Sequence, residues 1–231
     1  MILHTETFGA GEPIVFLHTG LQTGMTDFEE QREYFKTNYK VIVPDLRGHG
    51  KSKSNDIVNF YHDSANDLLD TLHHLEVDSA HIIGCSLGAL VGVFFAKRYP
   101  EKVKTLTLSG IIPEKPSDWT EIQRNEFERL SQLVENKELA GYFNHLHGEG
   151  WQKFIDMVQK ADSYPFGETA DLTALEMPIL FMVGEGNRNE TKGAILYPPT
   201  NKNIHVSIIP FAAHLVHSEQ PQIFSNWTDV S

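Results

Sequence analysis

A serine between two glycines, in Gly84-Cys85-Ser86-Leu87-Gly88, is the part of this 231-residue chain best suited to chemistry. A serine hydroxyl is a weak nucleophile until a neighbouring base takes its proton. A sharp strand-to-helix turn can present that hydroxyl to a site, and small residues at both ends let the strand and helix backbones come close together. The flanks suit such a turn. Residues 80–84 form a short apolar run that reads as a strand, and 87–99 read as a helix stopped by Pro100. Alone, the pentapeptide is a modest signal, because a glycine-containing turn can hold a serine by chance. The base is no easier to choose by residue type, since the chain has 12 histidines.

The elements that must position such a serine alternate along the chain. Strand-like runs fall at 14–17, 39–43, 80–84, 102–108, 178–183 and 204–209. Helix-like stretches fall at 27–36, 61–75 and 87–99, the second with Ala65, Leu68, Leu69 and Leu72 at three- and four-residue spacing. Apolar strands separated by helices predict an α/β fold, a mostly parallel doubly wound sheet covered on both faces. One segment breaks the alternation. Residues 111–177 hold helix-like pieces near 119–134, 139–146 and 151–161 and no clear strand. They are expected to form a short helical cap over the C-terminal edge of the sheet, with 1–110 and 178–231 as the core. Core helices would explain the aromatic residues of 111–177 equally well.

Composition narrows the functional classes. The formal net charge of -12 argues against nucleic acid or an anionic membrane surface as a partner. Apolar and charged residues make up 40% and 22%, ordinary for a globular protein. No run approaches the roughly 18 apolar residues of a membrane helix, and no secretory signal is visible. Cys85 is the single cysteine, so no intramolecular disulfide can form and a reducing compartment is compatible. A cytoplasmic protein with a small-molecule substrate is the expectation, its oligomeric state unread. Metal-hydrolase and phosphate-loop motifs are absent, and so is dinucleotide-binding glycine spacing.

Four landmarks in order carry a family resemblance: Leu17-His18-Thr19-Gly20, Asp45-Leu46-Arg47-Gly48-His49-Gly50-Lys51-Ser52, the Ser86 pentapeptide, and Met177-Pro178 ahead of 179–184, followed by the late His214. Over nearly its full length the chain resembles the α/β-hydrolases, in the serine esterase and lactonase branch. The resemblance implies a catalytic triad with Ser86 as nucleophile and His214 as base, in the order serine, acid, histidine. It implies an oxyanion hole from the N–H groups of Leu87 and Gly20. The family commonly has His-Gly where this chain has His18-Thr19-Gly20. The resemblance also implies a cofactor-free enzyme without metal. It makes His18, His49, Asp45 and Arg47 structural. By position, His217 reads as a neighbour or helix-face residue, and His145 and His147 either face the cleft from the insertion or, as expected of such helix positions, are solvated. The chain begins close to the second family strand and ends soon after Pro221. The implied sheet therefore has about seven strands, with the first antiparallel strand missing or very short and a brief last helix.

The acid departs from the pattern. The family places an aspartate in a Gly-x-x-Asp arrangement, and this chain reads Gly184-Glu185-Gly186-Asn187. Three readings compete: Asn187 orients His214 itself, Glu185 or Glu190 replaces the acid, or Glu114 or Asp118 approaches from another strand end. An amide cannot stabilise an imidazolium as a carboxylate does. The resulting expectation is a serine hydrolase acting by acyl transfer on an ester, lactone or thioester. The alternative is a small-molecule receptor or regulator on the same fold with little turnover.

Overall fold

The computed structural model describes residues 1–158, 160 and 163–229. Its core is built from β1 (Thr5–Phe8), β2 (Glu12–Leu17), α1 (Glu29–Phe35), β3 (Tyr39–Pro44), α2 (Phe60–His74), β4 (Ala80–Cys85), α3 (Leu87–Arg98) and β5 (Val103–Ser109). Then follow α4 (Trp119–Glu135), α5 (Lys137–His147), α6 (Gln152–Val158) and α7 (Phe166–Thr169). The chain re-enters the sheet as β6 (Ile179–Gly184), passes through α8 (Arg188–Thr191) and α9 (Gly193–Leu196), and adds β7 (Ile204–Ile209). It closes with α10 (Val216–Glu219) and α11 (Pro221–Thr228).

The seven strands lie in the order β1-β3-β2-β4-β5-β6-β7. All pairings are parallel except β1 against β3. Every residue of the central strand β4 is buried, because helices cover both faces. On one face Leu68 and Leu72 of α2 and the apolar residues of α3 pack on Val15, Ile82 and Leu106. On the other, Phe35 of α1 and Phe224 of α11 pack with Phe16, Ile83 and Met182. Helix α3 is buried from Leu87 to Ala96, as an all-round apolar helix must be.

The sheet has the seven strands the resemblance implied, but β1 is absent from the strand-like runs read along the sequence for a physical reason. Its four residues, Thr-Glu-Thr-Phe, are only partly buried, so they carry no apolar run. Short α7 to α10 likewise lack enough length for a readable period. The expected helix at 151–161 is observed as Gln152–Val158; Gln159 and Ala161 lie outside the described residues. Between β5 and β6 the described residues form helices and turns without a strand.

Topology fixes where chemistry can occur. From β2 the chain crosses to β3 on one side, and later enters β4 on the other. The C-terminal ends of β2 and β4 are thus a switch point, where parallel sheets leave a crevice. Register aligns Leu17 with Gly84, Gly84 with Leu108, Ser109 with Met182, and Gly184 with Ile209. The loops after β2, β4, β5, β6 and β7 therefore open on one edge.

Candidate active site

Ser86 stands at the turn between β4 and α3 with φ 52° and ψ −116°. Such a backbone costs a non-glycine residue on the order of 1–3 kcal/mol and persists only where its surroundings enforce it. Here the neighbours are close. A Cβ on Gly84 would lie 2.5 Å from Gly88 O, and one on Gly88 would lie 1.9 Å from Leu17 O. Both glycines are needed for the helix to begin this near the sheet. Ser86 N–H donates to Ser109 O at 2.9 Å, and Ser86 O accepts from Leu90 N–H at 3.0 Å.

His214 lies in the loop after β7. Its Nε2 is 3.0 Å from Ser86 Oγ, and its Nδ1 is 2.6 Å from Glu190 Oε1. A carboxylate on the Nδ1 side keeps a proton there and leaves Nε2 to accept the serine hydroxyl. Gly110 (φ 69°) makes room for this ring: a Cβ there would sit 3.1 Å from His214 Cε1 and 3.0 Å from Ser86 N.

Glu190 is 2% exposed and sits on α8, one turn beyond Asn187. Asn187 caps that helix. Its Oδ1 accepts from Glu190 N–H at 3.3 Å, and its Nδ2 donates to Glu190 Oε1 at 2.6 Å. Asn187 therefore holds the carboxylate that meets His214, whereas the sequence reading put Asn187 itself at the acid position. Moving from the cap to the third helical residue carries the acid one turn inward, and glutamate adds a methylene of reach. Glu185 points elsewhere and accepts from Phe211 N–H at 2.9 Å. Glu114 pairs with Lys192.

Burial pushes the Glu190 carboxyl above its ordinary range, against the opposing hydrogen bonds from His214 and Asn187. Burial pushes His214 down, but the Glu190 carboxylate prevails and raises it above 6.5.

Leu87 opens α3, so its N–H has no acceptor within the helix and lies at the positive end of the helix dipole. In the β2 loop, Thr19 N–H is committed to Asp27 Oδ2 at 2.8 Å. Thr19 O accepts from Gln22 N–H at 3.2 Å, closing a turn whose inner residues are Gly20 and Leu21, the latter at φ 62°. Ring atoms of Phe154 on α6 lie 3.2 Å from where a Gly20 Cβ would stand.

Other singled-out residues support this loop. His18 donates from Nδ1 to Thr19 O at 2.8 Å and accepts at Nε2 from Leu46 N–H at 2.9 Å. Asp45 accepts from Gly24 and Lys51 N–H, and Arg47 grips Asp67 at 2.7 and 2.9 Å. His49 Nδ1 donates to Arg47 O at 3.1 Å. His147 differs from the sequence expectation. It is 3% exposed, accepts at Nδ1 from Gly50 N–H at 2.8 Å and donates from Nε2 to Leu21 O at 2.9 Å. His145 is exposed. His217 is buried rather than on an open helix face. Asp27 and Gly110 escaped sequence reasoning, and His147 was misplaced by it, because their roles depend on φ or on partners as far as 190 residues away, as in Asp27 with His217. Only the Gly after the β5 run gave a local hint. Among the described residues no group of three or more His, Cys, Asp or Glu could hold a metal ion.

A strained serine after a strand, a histidine after the last strand and a carboxylate between them define a class of fold and site. Residues 12–155 match the family model described as alpha/beta hydrolase fold, and the chain belongs to that family. Across 97% of its length it is 34% identical to 3-oxoadipate enol-lactonase 2 of Acinetobacter baylyi, covering 90% of that protein. Across 58% of its length it is 35% identical to the pimeloyl-[acyl-carrier protein] methyl ester esterase of Chromobacterium violaceum. The chain spans about half of that esterase, 52%, and 39% of another curated relative. In fold it is similar to NosK from Streptomyces actuosus, with TM-score 0.82 at 23% identity over 94% of this chain and 95% of that one.

Proposed function

We propose that the protein is a cofactor-free serine hydrolase that cleaves a small ester or lactone by acyl transfer. The observation that carries this reading is the unbroken line from Glu190 through His214 to Ser86, at 2.6 and 3.0 Å. His214 Nε2 takes the Ser86 proton as Oγ attacks the substrate carbonyl. Charge then develops on the carbonyl oxygen, and the Leu87 and Gly20 N–H groups stabilise it; losing one such donor costs about 3 kcal/mol in a well-studied protease. Glu190 holds the ring orientation and stabilises the imidazolium. His214 returns the proton to the leaving alkoxide, and water activated by the same ring releases the acid. Relatives named as an enol-lactonase and a methyl ester esterase support esters and lactones over other carbonyl compounds.

The helices between β5 and β6 act as the cap in this reading, with α6 bringing Phe154 against Gly20. A cytoplasmic location is part of the proposal, supported by the single, buried Cys85. No helix of the described residues is long and apolar enough to cross a membrane. The receptor alternative drew added weight from an asparagine at the acid position, and Glu190 against His214 supports the enzyme reading over it.

The test is steady turnover of a short-chain p-nitrophenyl ester by the wild type, with Ser86→Ala and His214→Ala beside it. Repeated turnover lost in both variants is expected. A folded wild type without turnover of any ester or lactone contradicts the proposal.

A further inference from the structure

The segment that bears Gly20 is tied to the segment that bears His214 through a second buried acid–histidine pair. His217, three residues beyond His214, is 3% exposed, and its Nε2 is 2.7 Å from Asp27 Oδ1. The other Asp27 oxygen accepts twice from Thr19, from N–H at 2.8 Å and from Oγ–H at 3.0 Å. One carboxylate thus joins the β2 loop to the start of α10. The joint is rigid on both sides. The His217 ring stacks on Phe28 with centroids 4.1 Å apart, and Gln31 Nε2 donates to His217 O at 2.8 Å.

This pair does not reach the serine, so it is no alternative triad. Its place is defined by Thr19. A loop N–H that faced the crevice would compete as an oxyanion donor, but Asp27 takes the Thr19 N–H, and the next one, on Gly20, is the donor in the acyl-transfer reading. Thr19 also fills the position where the family commonly has glycine, and its hydroxyl gives Asp27 a second grip that glycine lacks. Resting on the acyl-transfer reading above, we propose that Asp27 and His217 are positioning residues that set the oxyanion donor on Gly20 relative to His214.

Charge supports the same geometry. Burial pushes the Asp27 carboxyl up, but the bonds from His217 and Thr19 outweigh it and bring it down to about 2. The acceptor therefore stays ionised throughout the range in which a hydrolase works. A charged acceptor holds an N–H more tightly than a neutral one. His217 Nδ1 has no hydrogen-bond partner among the described residues, so the ring's polar work is done by Nε2.

A positioning role predicts a specific kinetic pattern. The oxyanion forms only in the transition state, so a displaced donor lowers kcat and leaves KM in place. The experiment compares His217→Leu, His217→Gln and Thr19→Val with wild type on a p-nitrophenyl ester. It also measures inhibition by a phenylboronic acid, whose boron binds Ser86 Oγ as the hydroxyl proton passes to His214 Nε2, forming a tetrahedral boronate anion. His217→Leu is expected to lower kcat at least tenfold with KM within about twofold, and to weaken the boronate by a similar factor. His217→Gln, whose amide can still donate to Asp27, is expected to recover most of both. Thr19→Val is expected to give a smaller loss of the same pattern, and it reads the joint even where His217→Leu does not fold.

Unchanged kcat in His217→Leu and Thr19→Val overturns the inference while leaving the hydrolase reading intact. So does a loss that Gln fails to recover, or one in which KM rises as kcat falls, for either marks general damage. A wild type that turns over no ester removes the reading and this inference with it.

Discussion

Asn187 and Glu190 stand one helical turn apart, and the amide of the first grips the carboxylate of the second at 2.6 Å while that carboxylate meets His214. The carboxylate facing His214 thus lies three residues along the chain from Asn187, within the segment after β6. The displacement makes the behaviour of variants there differ from simple pattern matching.

Glu190→Gln is expected to lower kcat by about four orders of magnitude, as the equivalent acid-to-amide change does in the protease template. The cause is the lost charge: Asn187 Nδ2 donates to the same atom that meets His214 Nδ1, so an amide oxygen sits there, and a neutral amide cannot stabilise the imidazolium that forms as Ser86 attacks. Asn187→Asp restores the common family residue yet is expected to be harmful. It sets a second carboxylate within hydrogen-bond distance of Glu190, so the pair shares a proton and the charge opposite His214 falls. A kcat loss of at least tenfold is expected, measured on the same ester at pH 7 to 8. Wild-type activity in Asn187→Asp contradicts the assignment.

The pH profile follows from the raised His214. The ring serves as base only when neutral. Since Glu190 raises its pKa, kcat/KM is expected to fall on the acid side with a midpoint above 6.5. In Glu190→Gln the residual activity is expected to show that midpoint shifted downward. Stopped assays from pH 5 to 9 read both.

Stability is expected to respond to pH through a different set of histidines. His18, His49 and His147 are buried, and burial pushes each below 6.5. Their rings are neighbours, with centroids 5.1 Å apart for His18 and His49 and 5.4 Å for His49 and His147. A histidine kept neutral in the fold leaves the unfolded chain with the higher proton affinity. The stability it contributes is complete above the unfolded pKa near 6.5, and it declines as pH falls below that value toward the lower folded pKa. The decline is about 1.4 kcal/mol per pH unit for each such group. Calorimetry at pH 7.5, 6.5 and 5.5 should show Tm dropping over the last interval more than the first. For His147→Gln a shallower drop is expected, because one titrating ring is gone.

Gly88→Ala tests the close approach of α3 to β2. Its Cβ would fall 1.9 Å from a backbone oxygen of Leu17, a contact no rotamer can relieve. A loss of more than about 4 kcal/mol, or failure to fold, is expected by urea denaturation. Gly141→Ala, where a Cβ meets nothing within 4 Å, is the matched control.

Some of this was legible in the sequence and some was not. The apolar run before Gly84-Cys85-Ser86-Leu87-Gly88 and the apolar helix after it were visible because burial on both sides leaves a continuous hydrophobic signal. The place of His214 was legible only through the family resemblance, which puts the base after the last strand; the apolar run 204–209 marked where that strand ends. Strand β1 was hidden by its polar, half-exposed residues. The carboxylate facing His214 stayed open among several residues, because a four-residue helix carries no period and nothing local says which of its side chains turns inward. Asp27 and His217 were opaque for a related reason: they are 190 residues apart, and one sequence alone does not reveal a contact at that separation.

The most direct measurement is the rate of fluorophosphonate labelling, with the adduct located by peptide mass spectrometry, in wild type, Ser86→Ala, Glu190→Gln and Asn187→Ala. A single adduct on Ser86 is predicted in the wild type and none in Ser86→Ala. The rate should be slowed by orders of magnitude in Glu190→Gln and by about tenfold in Asn187→Ala. Rapid Ser86 labelling in Glu190→Gln, equal to wild type, would contradict the triad described above.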